Sequence, residues 1–132
     1  METDNAKKSE MAYATAAALW QAKKLSQART YAQKAISFNE NYGEPYILLA
    51  QMYGSNPNWS DEPALNRCTY YVVIDKLQRA KAVDPSVTDK VNELIATYAR
   101  HTPQAKDLFM LGYKAGDRIT IGGWIGESTT IR

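Results

Sequence analysis

The chain carries AYATAAAL at residues 12–19 and YILLAQMY at residues 46–53, which starts 34 residues further along. Both stretches place an alanine at the same point of a helical turn, Ala16 in one and Ala50 in the other. Small residues let two helix backbones approach closely, and large neighbours such as Leu49 fill the remaining space. Self-similarity at a fixed period of this size predicts stacked helical repeats.

Each of these stretches is followed by a second helical pattern. Residues 28–38 place alanines at helical spacing after the polar turn Lys23-Lys24, and residues 73–85 repeat the pattern and close on Asp84-Pro85. A third first-helix pattern covers residues 91–98, and a short second one covers residues 105–109. Helices joined by turns this short must lie antiparallel.

The patterns together resemble the tetratricopeptide repeat (TPR) family over about residues 6–112. In that family, each first helix carries an aromatic residue, a leucine, a small residue and a tyrosine, as YILLAQMY does. The resemblance implies a mainly α single domain, a TPR-like superhelix of three antiparallel helix pairs. The expected segments are repeat 1 at 4–40, repeat 2 at 43–85 with an insertion loop at 54–61, repeat 3 at 86–112, and a hairpin cap at 117–132.

Local signals predict where the helices begin and end. Ser26 suits the N-cap of the second helix, Pro45 suits a first turn, and Asp61 with Pro63 suits a helix emerging from the insertion. Ser86-x-x-Asp89 resembles a capping box. The last helix is expected to open at Thr102-Pro103 and to end at Gly112.

After Gly116 the period of the sequence changes from 3.6 to 2, which predicts a C-terminal β-hairpin. The first strand runs through Ile119, Ile121 and Ile125, and the second follows Gly126-Glu127. Gly122-Gly123 inside a strand indicates a bulge or a backbone pressed under a ring, which we expect to be that of Trp124. A lone hairpin is marginal in water, so we expect it to cover the apolar face of the last helices.

Composition excludes several classes of function. Sixteen basic and fourteen acidic side chains give a net charge of +2, which does not imply binding to nucleic acid. Cys68 and His101 are each the single residue of their type, which predicts no disulfide, metal site, cofactor or catalytic triad, and hence no enzyme. No apolar run reaches the ~20 residues of a membrane span, and the N-terminus lacks the pattern of a signal peptide. The chain as a fragment of a longer protein is kept as an alternative.

Candidate binding residues follow from the resemblance, because first helices line the concave groove in TPR proteins. Trp20 is equally well explained as a core residue. In the insertion, Trp59 is a loop candidate whose alternative is an anchor that ties the loop to the core. The carboxylate clamp of chaperone-binding TPR domains is absent, since Tyr13, Ala17 and Leu48 occupy its places. The groove candidates are Tyr13, Trp20, Gln21, Ile47, Gln51, Asn92 and Arg100.

We therefore expect a scaffold that binds an unidentified protein or peptide through its concave face. The alternative is a structural or self-associating module, with a homodimer possible, that terminates a longer TPR protein. A third option is a glycan-binding or catalytic domain built on Trp20, Trp59 and the tyrosines. The region from residue 70 to residue 132 also resembles uncharacterised TPR proteins of the Gram-negative envelope, which implies a location in the cell envelope or periplasm.

Overall fold

The fold is mainly helical, with a small two-stranded antiparallel sheet near the C-terminus, in a computed structural model that describes residues 2–132. Short loops join most of the helices, and a 3-10 turn at Pro85–Val87 leads into the sixth. The elements are α1 (Glu2–Gln21), α2 (Leu25–Phe38), α3 (Glu44–Ser55), α4 (Pro63–Arg67), α5 (Thr69–Val83), α6 (Thr88–Ala99), α7 (Ala105–Met110), β1 (Arg118–Thr120) and β2 (Ser128–Thr130).

Helices α1 and α2 pack against each other along their alanine faces. Ala16, Ala28 and Ala32 are fully buried between them. Lys23 turns the chain with a left-handed φ of 62°, and the backbone N–H of Lys24 donates to the Leu19 carbonyl at 2.9 Å. The predicted cap at Ser26 is wrong, because α2 begins one residue earlier with no side-chain cap.

Helix α3 lies at the centre of the molecule. Its side chains are buried from Pro45 to Tyr53 apart from Gln51, because α1, α2 and α5 all pack against it. Pro45 stands in the first turn as predicted, where its missing N–H costs no hydrogen bond. A helix that is apolar nearly all round must be covered on most sides, and this one is.

The insertion forms an ordered loop and then the short helix α4. Pro63 begins α4 as predicted, but Asp61 does not cap it, because Glu62 occupies the N-cap position without a side-chain bond. The Asn66 amide holds the loop instead, since its oxygen accepts from the backbone N–H of Trp59 at 2.9 Å and of Ser60 at 2.8 Å. The segment is thus rigid enough to present side chains at fixed positions.

The connection from α5 to α6 depends on Asp84. Its carboxylate accepts from the Ser86 hydroxyl at 2.6 Å and from the backbone N–H of Gly43 at 2.9 Å. The predicted capping box of Ser86 and Asp89 is therefore wrong, because Asp84 already holds Ser86 in the 3-10 turn. The contact with Gly43 also ties the start of α3 to the end of α5.

We expect Asp84 to make the stability of the fold depend on pH. Its hydrogen bonds from Ser86 and Gly43 hold the pKa of the carboxyl below its usual 3.8. Such a group stabilises the fold when ionised, and its contribution is lost as pH falls through the folded-state pKa. We expect Asp84→Asn to lower the Tm near neutral pH and to cost much less well below pH 3.8. Asp61→Asn, at an exposed carboxylate, is the control, and an equal loss of Tm at every pH for Asp84→Asn would contradict this account.

The third predicted helix pair is incomplete. Helix α7 has only 6 residues, and its contacts with other helices are chiefly with α4. It begins at Ala105 rather than at Thr102-Pro103, and Gly112 follows its end with a φ of 93°, as predicted for a terminating glycine. Helix α6, which the pattern pairs with α7, buries only Val91 fully.

The hairpin is confirmed, but its strands are shorter than predicted. Thr120 pairs with Ser128, and residues 121–127 form the connecting loop. Gly122 lies under the ring of Trp59 instead of Trp124, since a Cβ there would stand 2.9 Å from Trp59 Cε3. Trp124 packs edge-on against Tyr53, with ring centroids 5.3 Å apart.

Polar contacts direct the hairpin onto α5. Thr129 donates to Asp75 at 2.8 Å, Arg132 forms an ion pair with the same carboxylate, and its guanidinium lies 4.9 Å from the Tyr71 ring centroid. The hairpin therefore covers α5 and the end of α3, whereas Phe109 in α7 remains 75% exposed. The hairpin therefore leaves Phe109 and Met110 of α7 exposed, although we expect from the sequence that it covers the apolar face of the last helices.

Glu127 anchors the hairpin loop in a partly buried polar cluster. Its carboxylate accepts from the Tyr53 hydroxyl and pairs with Lys76 at 2.7 Å, while Arg29 Nε donates to the Tyr53 oxygen at 2.8 Å. Burial, and then the Glu127 charge, raise the pKa of Tyr53. One acidic side chain from the hairpin thus joins α2, α3 and α5.

Candidate partner-binding surface

Helices α3 and α6 lie side by side and run in the same direction. Near their starts, the Lys90 ammonium forms an ion pair with Glu44. Near their ends, the Tyr98 ring lies on Gly54, so closely that a Cβ at Gly54 would stand 2.6 Å from Tyr98 Cε1. Contacts at both ends fix the two helices in parallel register.

The start of α3 also meets α1. Tyr13 packs edge-on against Tyr42, with ring centroids 5.7 Å apart and an interplanar angle of 71°. Burial, followed by the nearby Glu44 carboxylate, raises the pKa of Tyr13, and Lys90 opposes the shift. Tyr13 of α1 thus lies near Glu44 of α3 and Lys90 of α6. We call the exposed side of these three helices the first-helix surface, because the repeat pattern predicts that they are the first helices of their pairs.

The predicted groove residues differ in their accessibility. Those exposed are Gln21 at the end of α1, Asn92 in α6 and Arg100 just after α6, whereas Tyr13, Trp20 and Gln51 are half-buried. Trp20 also packs against the core. Ile47 is only 3% exposed, so it is a core residue and offers no side chain to a partner. The Asn92 oxygen faces α5, where it accepts a hydrogen bond from Lys81 at 3.0 Å, and this bond does not use its amide nitrogen.

Sequence reasoning missed Tyr42, Glu44 and Lys90 on this surface. Their signal is weak, because Glu44 and Lys90 are 46 positions apart and neither belongs to the apolar pattern. Alignment of the two predicted repeats could have found it, since Glu44 and Lys90 fall in the first turns of α3 and α6. Charges at these positions face each other only when the helices stack in parallel.

Gly54 provides a test of the contact between α3 and α6. We expect Gly54→Ala to lower the free energy of unfolding by about 1–3 kcal/mol, because the added methyl must displace an aromatic ring from a packed site. The double variant with Tyr98→Ala should lose less than the sum of the single losses, since the two positions share one contact. Chemical denaturation measures both, with Ser55→Ala as the exposed neighbouring control. Strict additivity would contradict the contact.

A second concave region, the insertion cleft, lies beside the ends of α3 and α6. Its volume is about 490 Å³. The Tyr70 ring forms one wall, stacked on Tyr98 at 6.0 Å and beside His101 at 5.2 Å. The lining residues are Pro57, Asn58, Ser60, Pro63, Asn66, Arg67, Tyr70 and His101.

Trp59 fixes the loop beside this cleft. Its indole Nε1–H donates to the Leu65 carbonyl at 3.1 Å, and its ring covers Gly122 of the hairpin loop. These contacts give Trp59 the anchoring role that was the alternative to a binding role. It links the insertion to the hairpin across more than 60 positions of sequence, which no local pattern indicates.

Exposed apolar side chains occur at both ends of the helical array. At one end Met110 is 84% and Phe109 75% exposed beside a groove of about 470 Å³, and at the other Met11 is 71% exposed near Phe38. Within residues 2–132, no helix is both long enough and apolar enough to cross a membrane. Over the same range, no three His, Cys, Asp or Glu side chains cluster closely enough to hold a metal ion.

In comparisons with known proteins, no family model matches the chain, and neither the curated proteins nor the solved structures give a significant match.

Proposed function

We propose that this chain is a TPR-like protein-interaction module that binds a segment of another protein on the first-helix surface. The observation that carries the proposal is the parallel alignment of α3 and α6, with Lys90 on Glu44 at one end and Tyr98 on Gly54 at the other. Side-by-side first helices are the arrangement that gives helical-repeat proteins an extended binding face.

The remaining helix contacts support a repeat arrangement. Helix α2 packs on both α1 and α3, and α5 packs on both α3 and α6, so each second helix bridges two first helices. Each element then buries its apolar side only by stacking on its neighbours, which is the physical basis of repeat folds. The short α7, which the sequence pattern predicts as the second helix of repeat 3, contacts α4 instead and does not extend this arrangement.

The chemistry of the surface suits an extended peptide. Gln21, Gln51 and Asn92 offer amide groups that can bond to a ligand backbone, and Tyr13 offers contact area at low entropic cost. Arg100 adds a positive charge at one end. The surface is shallow, because Ile47 and most of α3 are buried, so we expect modest affinity.

Capture of partners by matched variants tests this proposal. The test variant carries Gln21→Ala, Asn92→Ala and Arg100→Ala, which change the exposed groove candidates of α1, of α6 and of the residue that follows α6. The control carries Gln33→Ala, Gln78→Ala and Arg79→Ala, which change two amides and one arginine at exposed positions of α2 and α5. Wild-type and control chains should recover the same partner, and the test variant should lose it while keeping its Tm. Equal recovery by both variants would overturn the proposal.

Self-association is the second candidate, and the exposed Met110 and Phe109 favour it. A dimer through these side chains would dissociate in a Phe109→Ser, Met110→Ser variant without loss of the fold, because neither side chain is buried. Sedimentation of wild-type and variant chains distinguishes the two candidates. A wild-type chain that stays monomeric at all concentrations would exclude self-association.

A further inference from the structure

We infer that the insertion cleft binds a carboxylate carried beside a flat apolar group, as at an acidic residue or at the end of a peptide chain. The site is separate from the first-helix surface and does not depend on it. Its lining combines three kinds of group: a guanidinium, an imidazole, and the flat faces of two prolines and a tyrosine.

The cleft carries a positive charge, which Arg67 supplies. Arg67 and His101 both line it and both are exposed, and none of the described residues that line it is acidic. Within residues 4–132, no salt bridge involves Arg67. A guanidinium presents its N–H groups as a planar fork that matches a carboxylate.

Hydrogen bonds hold the loop that forms one side of the cleft. Asn66 also lines the cleft, and its amide oxygen and nitrogen are bonded to Trp59 and Ser60, so its main role is to shape the wall. Trp59 fixes the same loop by its bond to Leu65 and its contact with Gly122. A preorganised wall lowers the entropic cost of binding.

The wall opposite the loop explains why the ligand should carry a flat group. Tyr70 lies beside both His101 and Tyr98, with ring centroids 5.2 Å and 6.0 Å away, so its ring is held in place. Pro57 and Pro63 add rigid apolar faces on the loop side. A carboxylate next to an aromatic or proline ring would bring its charge to Arg67 and its ring to Tyr70.

A phosphate is the less favoured anion. Sites for phosphate gather several backbone N–H groups or more than one basic side chain. This cleft has one permanently charged side chain, Arg67, with His101 and the amide of Asn58 beside it, and a single positive charge matches one carboxylate better than a dianion.

Titration of the whole chain with small probes, followed by amide NMR shifts, tests the inference. The probes are N-acetyl-prolyl-phenylalanine with a free carboxylate, its C-terminal amide, the amide of N-acetyl-aspartyl-phenylalanine, and inorganic phosphate. We expect saturable shifts around residues 57–70 and at His101 with a free carboxylate, and none with the neutral amide. Binding by the first probe alone identifies a chain terminus as the source of the carboxylate, and binding by the aspartyl probe identifies a side chain.

Variants complete the test. Arg67→Ala and His101→Ala should each lower the affinity for the carboxylate probe by roughly tenfold, the scale of one charge-assisted hydrogen bond. Arg79→Ala, an exposed arginine of α5, should leave binding unchanged. The neutral amide or phosphate binding as tightly as the carboxylate, or undiminished binding in Arg67→Ala, would overturn the inference. The capture experiment leaves Arg67 and His101 unchanged, and the probe titration leaves the groove candidates unchanged, so the two proposals can fail separately.

Discussion

Replacing Tyr53 by alanine is expected to lower the free energy of unfolding by about 3–5 kcal/mol, the range for truncating a buried aromatic side chain. Tyr53 is fully buried, packs edge-on against Trp124 and donates to Glu127. Removal of the ring opens a cavity in the core beside α3, and the hairpin loop loses its contacts with Tyr53 through Glu127 and Trp124. Equilibrium denaturation measures the loss.

Two further variants separate packing from hydrogen bonding at this site. Tyr53→Phe keeps the ring and removes the hydroxyl that joins Arg29 to Glu127, and should cost about 1–2 kcal/mol. Tyr31→Ala, at a tyrosine that is 36% exposed on α2, is the control for loss of an aromatic residue and should cost little. If Tyr31→Ala cost as much as Tyr53→Ala, the central position of α3 would be contradicted.

Trp59→Ala should produce the second large effect, about 2–3 kcal/mol, below the range for a fully buried tryptophan because this side chain is half-buried. The variant loses the bond to Leu65 and the contact with Gly122 together. Hydrogen exchange should then accelerate both in residues 54–61 and in residues 121–127, since one ring holds both loops. Acceleration in the insertion loop alone would contradict that link.

A matched pair of variants isolates the contact between Trp59 and Gly122. Trp59→Phe keeps a smaller ring near the glycine and loses the indole bond, so it should retain more of the stability than Trp59→Ala. Gly122→Ala adds a methyl 2.9 Å from the ring and should cost about 1–3 kcal/mol in the wild-type chain. In the Trp59→Ala background the same change should cost much less, because the ring that it meets is gone.

Features that depend on local sequence could be predicted. The 34-residue spacing gave the positions of α1, α2 and α3, Pro45 gave the first turn of α3, and Gly112 gave the end of α7. The change of period after Gly116 gave the hairpin. In each case the responsible interactions join residues within a few turns of one another.

The errors arose where distant side chains compete with a local signal. Ser86 looked like a cap, but Asp84 holds it in a turn that also binds Gly43. Gly122 was assigned to the neighbouring Trp124, although the ring above it comes from Trp59 in the insertion. Ile47 was assigned to a binding face by the repeat pattern, yet the packing around α3 buries it. The long-range ion pair of Glu44 and Lys90 was missed for the same reason.

Site-specific photo-crosslinking in cells that produce the chain naturally tests the proposed binding face most directly. A photoreactive residue is placed at Gln51 or Asn92 on the first-helix surface and, as controls, at Gln33 on α2 or Gln78 on α5. The account predicts a discrete covalent adduct with another protein from Gln51 and Asn92 and none from Gln33 and Gln78. Adducts formed mainly from the α2 and α5 positions, or none from Gln51 and Asn92, would contradict it.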